Sequence, residues 1–331
     1  MIAAGILGDI AVLLTDSGMW KNLIEFAILL FLAALGEVIA EKAGVLNLGV
    51  EGMMAFGAMT GFWAGIQTGS PWAAAVIAAL AVAVLASVHG VVAVGFGADQ
   101  VVSGLALTIL GLGLAAFLGT DLVSQQSGAA FSDVELGSLS TVPGLGPTIF
   151  SMDPMGWVAL ALGVLTWFVL SRTRAGLNLR AVGESAATAD AAGTSVVRTR
   201  MIAVAIGGAF AGLAGAYLTL KVTPSWNEGI VGGLGWIAVA LVIFGAWHPA
   251  RVLVGALIFG GLIAVGPRFQ TRRCNTDELV DCITTEINPI VVSMFPYLLT
   301  IGVLVLLSIR SRNRPSVAPA AIGQTYRREE R

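Results

Sequence analysis

The sequence predicts an all-α protein, a polytopic bundle of transmembrane helices. Of its 331 residues, 56% are hydrophobic and only 11% are charged, whereas charged residues make up roughly 25% of a soluble domain. A soluble fold of this length could not cover its surface with so few charges. The mean hydropathy of +0.88 also excludes a disordered chain, which carries little apolar surface.

Apolar runs set the number of crossings, because a helix needs about 20 residues to cross a roughly 30 Å hydrocarbon layer. We predict about nine spans, helical because the bilayer leaves no other partner for backbone amides. They are residues 22–41, 45–66, 73–97, 100–120, 155–171, 201–220, 229–247, 252–267 and 290–309. The run 45–66 is the least regular, and whether it is a full span or a re-entrant pair decides the side of the N-terminus.

Three regions follow from this pattern: an N-terminal interfacial segment at 1–20, a transmembrane domain at 21–310 and a tail at 311–331. Five Arg lie in the loop 172–200 and six more follow residue 309. The positive-inside rule predicts that this loop and the tail are cytoplasmic. The protein is therefore predicted to be a multi-pass protein of the cytoplasmic membrane.

The loops 121–154, 221–228 and 268–289 are then predicted to face outside. Cys274 and Cys282 both fall in the last of these, and they form either a disulfide or two free thiols. Two Cys and two His are too few for a zinc or redox centre, so we expect no metal and no cofactor. A net charge of −2 gives no basic field for nucleic acid.

Glycines recur at helical spacing. Gly57, Gly61 and Gly65 lie four residues apart, as do Gly208 and Gly212. In a membrane helix this spacing places small residues on one face, where a second backbone can approach closely. We predict that these glycines are helix-packing positions.

The segment 44–52 contains three Gly, which weaken a helix by roughly 1 kcal/mol each relative to Ala, and it carries Asn47 and Glu51. A broken helix with a carboxylate at membrane depth is typical of a transporter's substrate path or gate. The alternative is a surface turn with a solvated Glu51. His89 is assigned to the same path, with a packing role as its alternative.

Other polar and aromatic residues receive simpler interpretations. Glu25 and Glu37 are expected to reach water from the ends of the first span. Trp226 and Trp236 fit an interfacial aromatic belt, with stacking on a planar or sugar-like solute as the alternative.

The Arg-rich loop contains a candidate docking helix. The stretch from Glu184 to Ala192 consists almost entirely of good helix formers, and Gly193 is suited to end the helix. A short, smooth helix outside the membrane fits a groove of another protein. Glu184, Ala187, Ala191 and Gly193 are the residues expected at that contact.

The stretch Glu184–Gly193 resembles the coupling-helix loop of permease subunits of bacterial ATP-binding-cassette (ABC) importers. The run Gly44–Ala58 is similar to the sugar and nucleoside branch of that group, which is related to ribose and branched-chain amino acid permeases. Within that branch the chain looks most like the shorter nucleoside-type permeases. The resemblance covers roughly residues 20–310. It implies a second, homologous permease, two ABC ATPase subunits and an extracytoplasmic solute-binding lipoprotein as partners, besides membrane lipid.

The sequence motifs of this chain agree with ATP hydrolysis by separate subunits. A phosphate-binding loop needs Gly-Lys followed by Ser or Thr, and the three lysines follow Trp20, Glu41 and Leu220. The chain also lacks a GxSxG or HExxH motif. We therefore predict that it is not an enzyme and that ATP is hydrolysed by partner subunits.

The leading hypothesis is the permease subunit of an ATP-driven importer of nucleosides or simple sugars. The alternative is an ion- or proton-coupled secondary transporter in which Glu51 and His89 titrate. A membrane scaffold that transports nothing is a third possibility, which the intramembrane polar residues disfavour.

Overall fold

A computed structural model describes residues 17–135, 137, 140, 150–271, 294–311 and 317–326. These residues form helices and connecting turns without a β-strand among them, which confirms the all-α class. The helices are α1 Ser17–Lys42, α2 Val50–Thr68, α3 Pro71–Gly90, α4 Gln100–Gly119, α5 Pro154–Arg172, α6 Arg174–Glu184, α7 Ala186–Ala191, α8 Val196–Tyr217, α9 Leu234–Phe244, α10 Pro249–Thr271 and α11 Phe295–Ser311. Residues 1–16 lie outside the described residues, as do Cys274 and Cys282, which are expected to form either a disulfide or two free thiols.

Side-chain caps explain where several helices begin. Ser70, Asp99 and Asp153 precede α3, α4 and α5, and each side-chain oxygen accepts a hydrogen bond from the backbone N–H three residues later. Such caps satisfy one of the unpaired N–H groups of a helix start. Pro71 and Pro154 occupy the first helical positions, where the missing N–H of proline costs nothing.

The interior of the bundle is built around α1, α2 and α8. Helix α8 packs against α1, α2 and α3, while α2 also packs against α4. The middle of α1, residues 27–35, is buried throughout. Helices α3, α4 and α5 carry many exposed apolar side chains on their outer faces, as expected of surfaces in contact with lipid.

Glycines bring these central helices to backbone contact. A Cβ atom on Gly57 would lie 2.8 Å from the Cα of Gly212, and one on Gly61 would lie 2.8 Å from the Cα of Ala216. A Cβ on Gly212 would lie 2.6 Å from the carbonyl oxygen of Ala78 on α3. These separations are well inside the roughly 3.5–4.0 Å of a favourable carbon contact.

The other two glycines of the pattern face different neighbours. A Cβ on Gly208 would lie 2.8 Å from the carbonyl oxygen of Val82 on α3. A Cβ on Gly65 would lie 2.6 Å from the Oγ of Ser127. Gly65 therefore approaches the segment after α4, whereas Gly208 approaches a helix.

Replacing Gly212 with Val is expected to destabilise the bundle, because the added atoms meet backbone on α3. Overpacking of this kind costs about 1–3 kcal/mol. The thermal unfolding midpoint of the detergent-solubilised protein measures the effect. Gly113→Val on α4 is the matched control, since a Cβ there meets nothing within 4 Å; equal midpoints for the two variants would contradict the close packing.

Five helical stretches of the described chain are long and apolar enough to cross a membrane: Gly18–Lys42, Pro71–Gly95, Gln100–Leu122, Pro154–Arg172 and Val196–Val222. The predicted number of nine membrane spans is therefore not confirmed. The predicted span 229–247 is wrong as a continuous helix, because α9 has 11 residues and reaches only about 16 Å at 1.5 Å per residue. Positive φ angles at Gly232 and Gly233 interrupt the helix before Leu234.

One end of the bundle, here called the Asp133 end, is held by ion pairs. Asp133 accepts hydrogen bonds from Lys21 at the start of α1 and Lys221 after α8. Lys221 also lies 3.5 Å from Glu25. Burial raises the pKa of Asp133, but the two lysines outweigh this effect, so that its pKa lies below the ordinary value.

The opposite end, here called the Arg200 end, joins segments that are distant in sequence. The buried Arg200 donates from Nε to the carbonyl of Ala43 at 3.2 Å and from Nη1 to the carbonyl of Gln324 at 2.9 Å. The backbone N–H of Ala321 donates to the carbonyl of Gly183 at 2.8 Å. The end of α1, the Arg-rich loop and the C-terminal segment therefore meet here.

Candidate translocation site

The chain between α1 and α2 is a buried turn of residues 43–49. Gly44 has a φ of +83°, a left-handed conformation that favours glycine. The fully buried Asn47 donates from Nδ2 to Glu37 Oε1 at 3.0 Å, and its Oδ1 accepts from the N–H of Gly49 at 3.0 Å. The side chain of Asn47 thus holds the turn against α1.

Two carboxylates of α1 lie beneath this turn. Glu37 and Glu41 are each 1% exposed, and Glu41 accepts a hydrogen bond from the indole of Trp247. The expectation that Glu37 reaches water is wrong, because the turn folds back over it. Asn47 supplies the hydrogen bond that water would otherwise provide.

Beyond the turn, the chain runs along α4 into the bundle. Thr108 donates to the carbonyl of Leu48 at 2.8 Å, and the backbone of Gly52 contacts Gly111. Because Gly111 lies about 16 Å along α4 from its beginning, Glu51 at the start of α2 lies near the middle of the bundle. A surface turn with a solvated Glu51 is therefore wrong: this side chain is 6% exposed.

Glu51 closes the N-terminus of α9. Its Oε1 accepts from the N–H of Gly233 at 2.7 Å, and its Oε2 accepts from the N–H of Gly235 at 2.8 Å. A carboxylate at this position satisfies two free N–H groups and lies at the positive end of the helix dipole. A Cβ on Gly235 would lie 2.5 Å from the Cα of Glu51, so the contact needs glycine.

Helix α9 and the irregular segment before it run from one end of the bundle to the other. The preceding segment 223–233 starts at the Asp133 end, where the indole of Trp226 donates to the carbonyl of Gly119 at 2.8 Å. The turn after α9 reaches the Arg200 end, where Trp247 binds Glu41. About half of this path between the two ends is therefore irregular chain and half is helix. Transporters place broken helices of this kind at their substrate sites.

A cavity of about 310 Å³ lies between α2, α4 and the segment 223–233. It is on the side of α9 nearer the Asp133 end, because Ala115 and Trp226 line it, together with Ala55, Glu51 and Glu228. Its volume is at the lower end of the roughly 300–1,000 Å³ of ligand pockets. Apolar walls, an indole and two carboxylates define its chemistry.

The three residues predicted on the substrate path are not brought together. Glu51 lines this cavity, whereas Asn47 is enclosed by the turn. His89 lines a different groove of about 350 Å³ between α3 and α4, where its Nδ1 lies 2.9 Å from Ser103 Oγ. Among the described residues, no three Cys, His, Asp or Glu side chains are grouped as metal ligands would be.

Glu228 was missed as a cavity residue, whereas Trp226 was a candidate only through the alternative of stacking on a solute. The interfacial-belt interpretation of Trp226 is wrong, because its side chain is 4% exposed and bonded to α4. Glycines at 229, 232, 233 and 235 are the signal that could have revealed a break in this predicted span.

The Arg-rich loop forms two helices, α6 and α7. The predicted start of the docking helix at Glu184 is wrong, since Glu184 ends α6 and Ser185 has an extended backbone. The Oγ of Ser185 accepts from the N–H of Thr188 at 3.3 Å and caps α7. Gly193 follows α7 with a φ of +86°.

Helix α7 has one buried and one exposed face. Its buried face belongs to a small apolar cluster, separate from the main core, made of Val182, Ala186, Ala189 and Val196. Glu184, Ala187, Ala191 and Gly193 are exposed. These exposed residues lie on and beside α7 at the Arg200 end.

A helical bundle with membrane-length apolar helices and a cavity at a broken helix defines an integral membrane transport protein. The family described as branched-chain amino acid transport system, permease component, matches residues 19–304. The chain belongs to this family of permeases.

Curated relatives cover most of the chain. The putative glucose ABC transporter permease protein TsgC13 of Haloferax volcanii is 40% identical over 95% of this chain and 98% of its own length. The guanosine ABC transporter permease protein NupQ of Bacillus subtilis is 35% identical over 71% of this chain and 77% of its own. A second guanosine permease of that bacterium, NupP, is 26% identical over 82% and 80%. No solved structure was found to match the chain.

Proposed function

We propose that this chain is the membrane-crossing permease subunit of an ATP-driven importer of sugars or nucleosides. Family membership and relatives whose names specify glucose and guanosine support this function. The structural observation that supports this function most directly is the half-helix α9, which begins beside the cavity in the middle of the bundle. Such an arrangement serves solute passage rather than packing alone.

The chemistry of the cavity favours uncharged, hydroxylated solutes over amino acids. A free helix N-terminus would bind the carboxylate of an amino acid, but Glu51 already occupies the N-terminus of α9. The described lining contains no Lys or Arg that could replace it. An indole and a carboxylate suit the ring and hydroxyl groups of a sugar or nucleoside.

The described helices are compatible with about nine crossings. Helices α2, α10 and α11 and the 223–233/α9 pair would join the five apolar stretches. Helix α2 is not among those five stretches, which is tolerable because most of it is buried within the bundle. In this arrangement the Arg200 end is cytoplasmic and the Asp133 end faces outside, so that the cavity lies on the side of solute delivery.

The exposed face of α7 would receive the ATPase subunits. Glu184, Ala187, Ala191 and Gly193 would form the contact, and movement of α7 would pass into α8. A second permease is expected to complete a heterodimer, as suggested by the two guanosine permeases of one bacterium. An extracytoplasmic solute-binding lipoprotein would deliver solute at the Asp133 end.

The secondary-transporter alternative is not favoured. It requires Glu51 and His89 as a titrating pair, but they line separate cavities and have different hydrogen-bond partners.

Reconstitution tests the proposal. The tagged chain is purified from its native membrane and placed in proteoliposomes with the subunits that accompany it. We expect ATPase subunits to copurify and labelled guanosine or glucose to accumulate only with ATP and the binding protein. Accumulation by this chain alone, driven by an ion gradient without ATP, would overturn the proposal.

A further inference from the structure

The segment 317–326 packs across the Arg200 end, although it lies beyond the last described helix. Ala318 and Ile322 pack against the main apolar core. The N–H of Ala321 donates to the carbonyl of Gly183 at 2.8 Å, and its backbone lies next to Gly44. The segment is therefore seated on the end of α6 and on the turn between α1 and α2.

The carbonyl of Gln324 is a junction between helices. It accepts a hydrogen bond from Arg200 Nη1 at 2.9 Å and another from Gln100 Nε2 at 3.3 Å. The Oε1 of Gln100 accepts from the N–H of Leu46 at 2.7 Å. The starts of α4 and α8 and the turn 43–49 are thus linked through one backbone group, and Arg200 and Gln100 are almost fully buried.

Tyr326 links the same segment to α7. Its hydroxyl donates to Asp190 Oδ2 at 2.9 Å, and its ring packs on the small apolar cluster beneath α7. Because α7 has six residues and its own apolar cluster is small, these contacts contribute much of what orients it.

We propose that the segment 317–326 is a mechanical link between α7 and the turn 43–49, with Tyr326 as its positioning residue. Movement of α7 is passed through Tyr326 and Gln324 to Gln100 and the turn, which leads directly into Glu51 beneath the cavity. This link acts in parallel with the covalent connection through α8. It rests on the proposed function, because it takes α7 as the helix that the ATPases move.

The test replaces Tyr326 with Phe in the full chain, within the complete reconstituted transporter. The variant keeps the ring and loses the hydroxyl, and with it the hydrogen bond to Asp190. We expect solute imported per ATP hydrolysed to fall at least about threefold, with the amount of assembled complex unchanged. Asp190→Asn retains an acceptor oxygen for Tyr326 and should keep the wild-type ratio.

If Tyr326 has only a structural role, its variant will lose assembly, uptake and hydrolysis together, and the solute imported per ATP hydrolysed will stay unchanged. That result would overturn the proposed link. If Tyr326→Phe does not accumulate, Asp190→Ala breaks the same hydrogen bond from the other partner and is subject to the same criterion. The wild-type complex separates the two proposals. Without ATP-dependent uptake by the wild type the proposed function fails, whereas an unchanged ratio in the variants removes only the link.

Discussion

Arginine at Ala187 or Ala191 is expected to abolish ATP-driven uptake while the bundle stays intact. Both positions lie on the exposed face of α7, so the fold can accept the longer side chain. At a close-packed interface, an unpaired buried guanidinium costs several kcal/mol. Since about 1.4 kcal/mol is a factor of ten, uptake should fall by more than about 100-fold. Uptake and ATPase retention in proteoliposomes measure the effect.

Ala130→Arg is the matched control, because this exposed alanine lies near Asp133 at the opposite end. It should retain the ATPase subunits as the wild type does. Ordinary uptake by both α7 variants would show that the ATPases dock elsewhere. Loss of the α7 variants from the membrane would instead show that this face is needed for folding.

Replacing Glu51 with Gln is expected to reduce the maximal uptake rate about tenfold without loss of assembly. A carboxylate accepts from both Gly233 and Gly235, whereas an amide offers one oxygen and turns a donor toward the second N–H. An unsatisfied buried N–H costs about 1–3 kcal/mol. The N-terminus of α9 should therefore loosen where it borders the cavity. Uptake kinetics together with size-exclusion chromatography of the complex measure both parts.

Glu135→Gln provides the control, since this carboxylate is exposed and lies outside the cavity. It should transport at the wild-type rate. Wild-type kinetics for Glu51→Gln would mean that one acceptor is sufficient to hold α9, and Glu51 would then have no special role in transport.

Local sequence signals predicted the fold class and the beginnings and ends of most long helices. Apolar runs between polar residues are a property of neighbouring residues, so they can be recognised without knowing the fold. Gly193, which was predicted to end the docking helix and follows α7, is likewise a local signal. The start of α7 was misplaced because Glu184 and Ser185 both suit an alanine-rich helix, and Ser185 acts as a cap only once α6 has ended.

The site could be predicted only in part, because its key contacts join distant residues. Glu51 stood out as a carboxylate in a glycine-rich break, but its partners at Gly233 and Gly235 are more than 180 residues away. The burial of Glu37 depends on the turn 43–49, which folds back over it. The position of the Trp226 side chain depends on its hydrogen bond to the carbonyl of Gly119 on α4. For Cys274 and Cys282 both alternatives, a disulfide or two free thiols, stay untested, since both residues lie outside the described residues.

The contact between Glu51 and α9 has a consequence for comparing related sequences. The acid is held by main-chain groups, Gly233 needs its φ of +91°, and Gly235 has no room for a Cβ. Each of the three positions is thus constrained for its own reason, and no exchange at one can be compensated at another. Correlated substitutions reveal many residue contacts in alignments, but we expect none between Glu51 and Gly233 or Gly235. Second-site suppressors of a Glu51 variant should likewise not arise at either glycine.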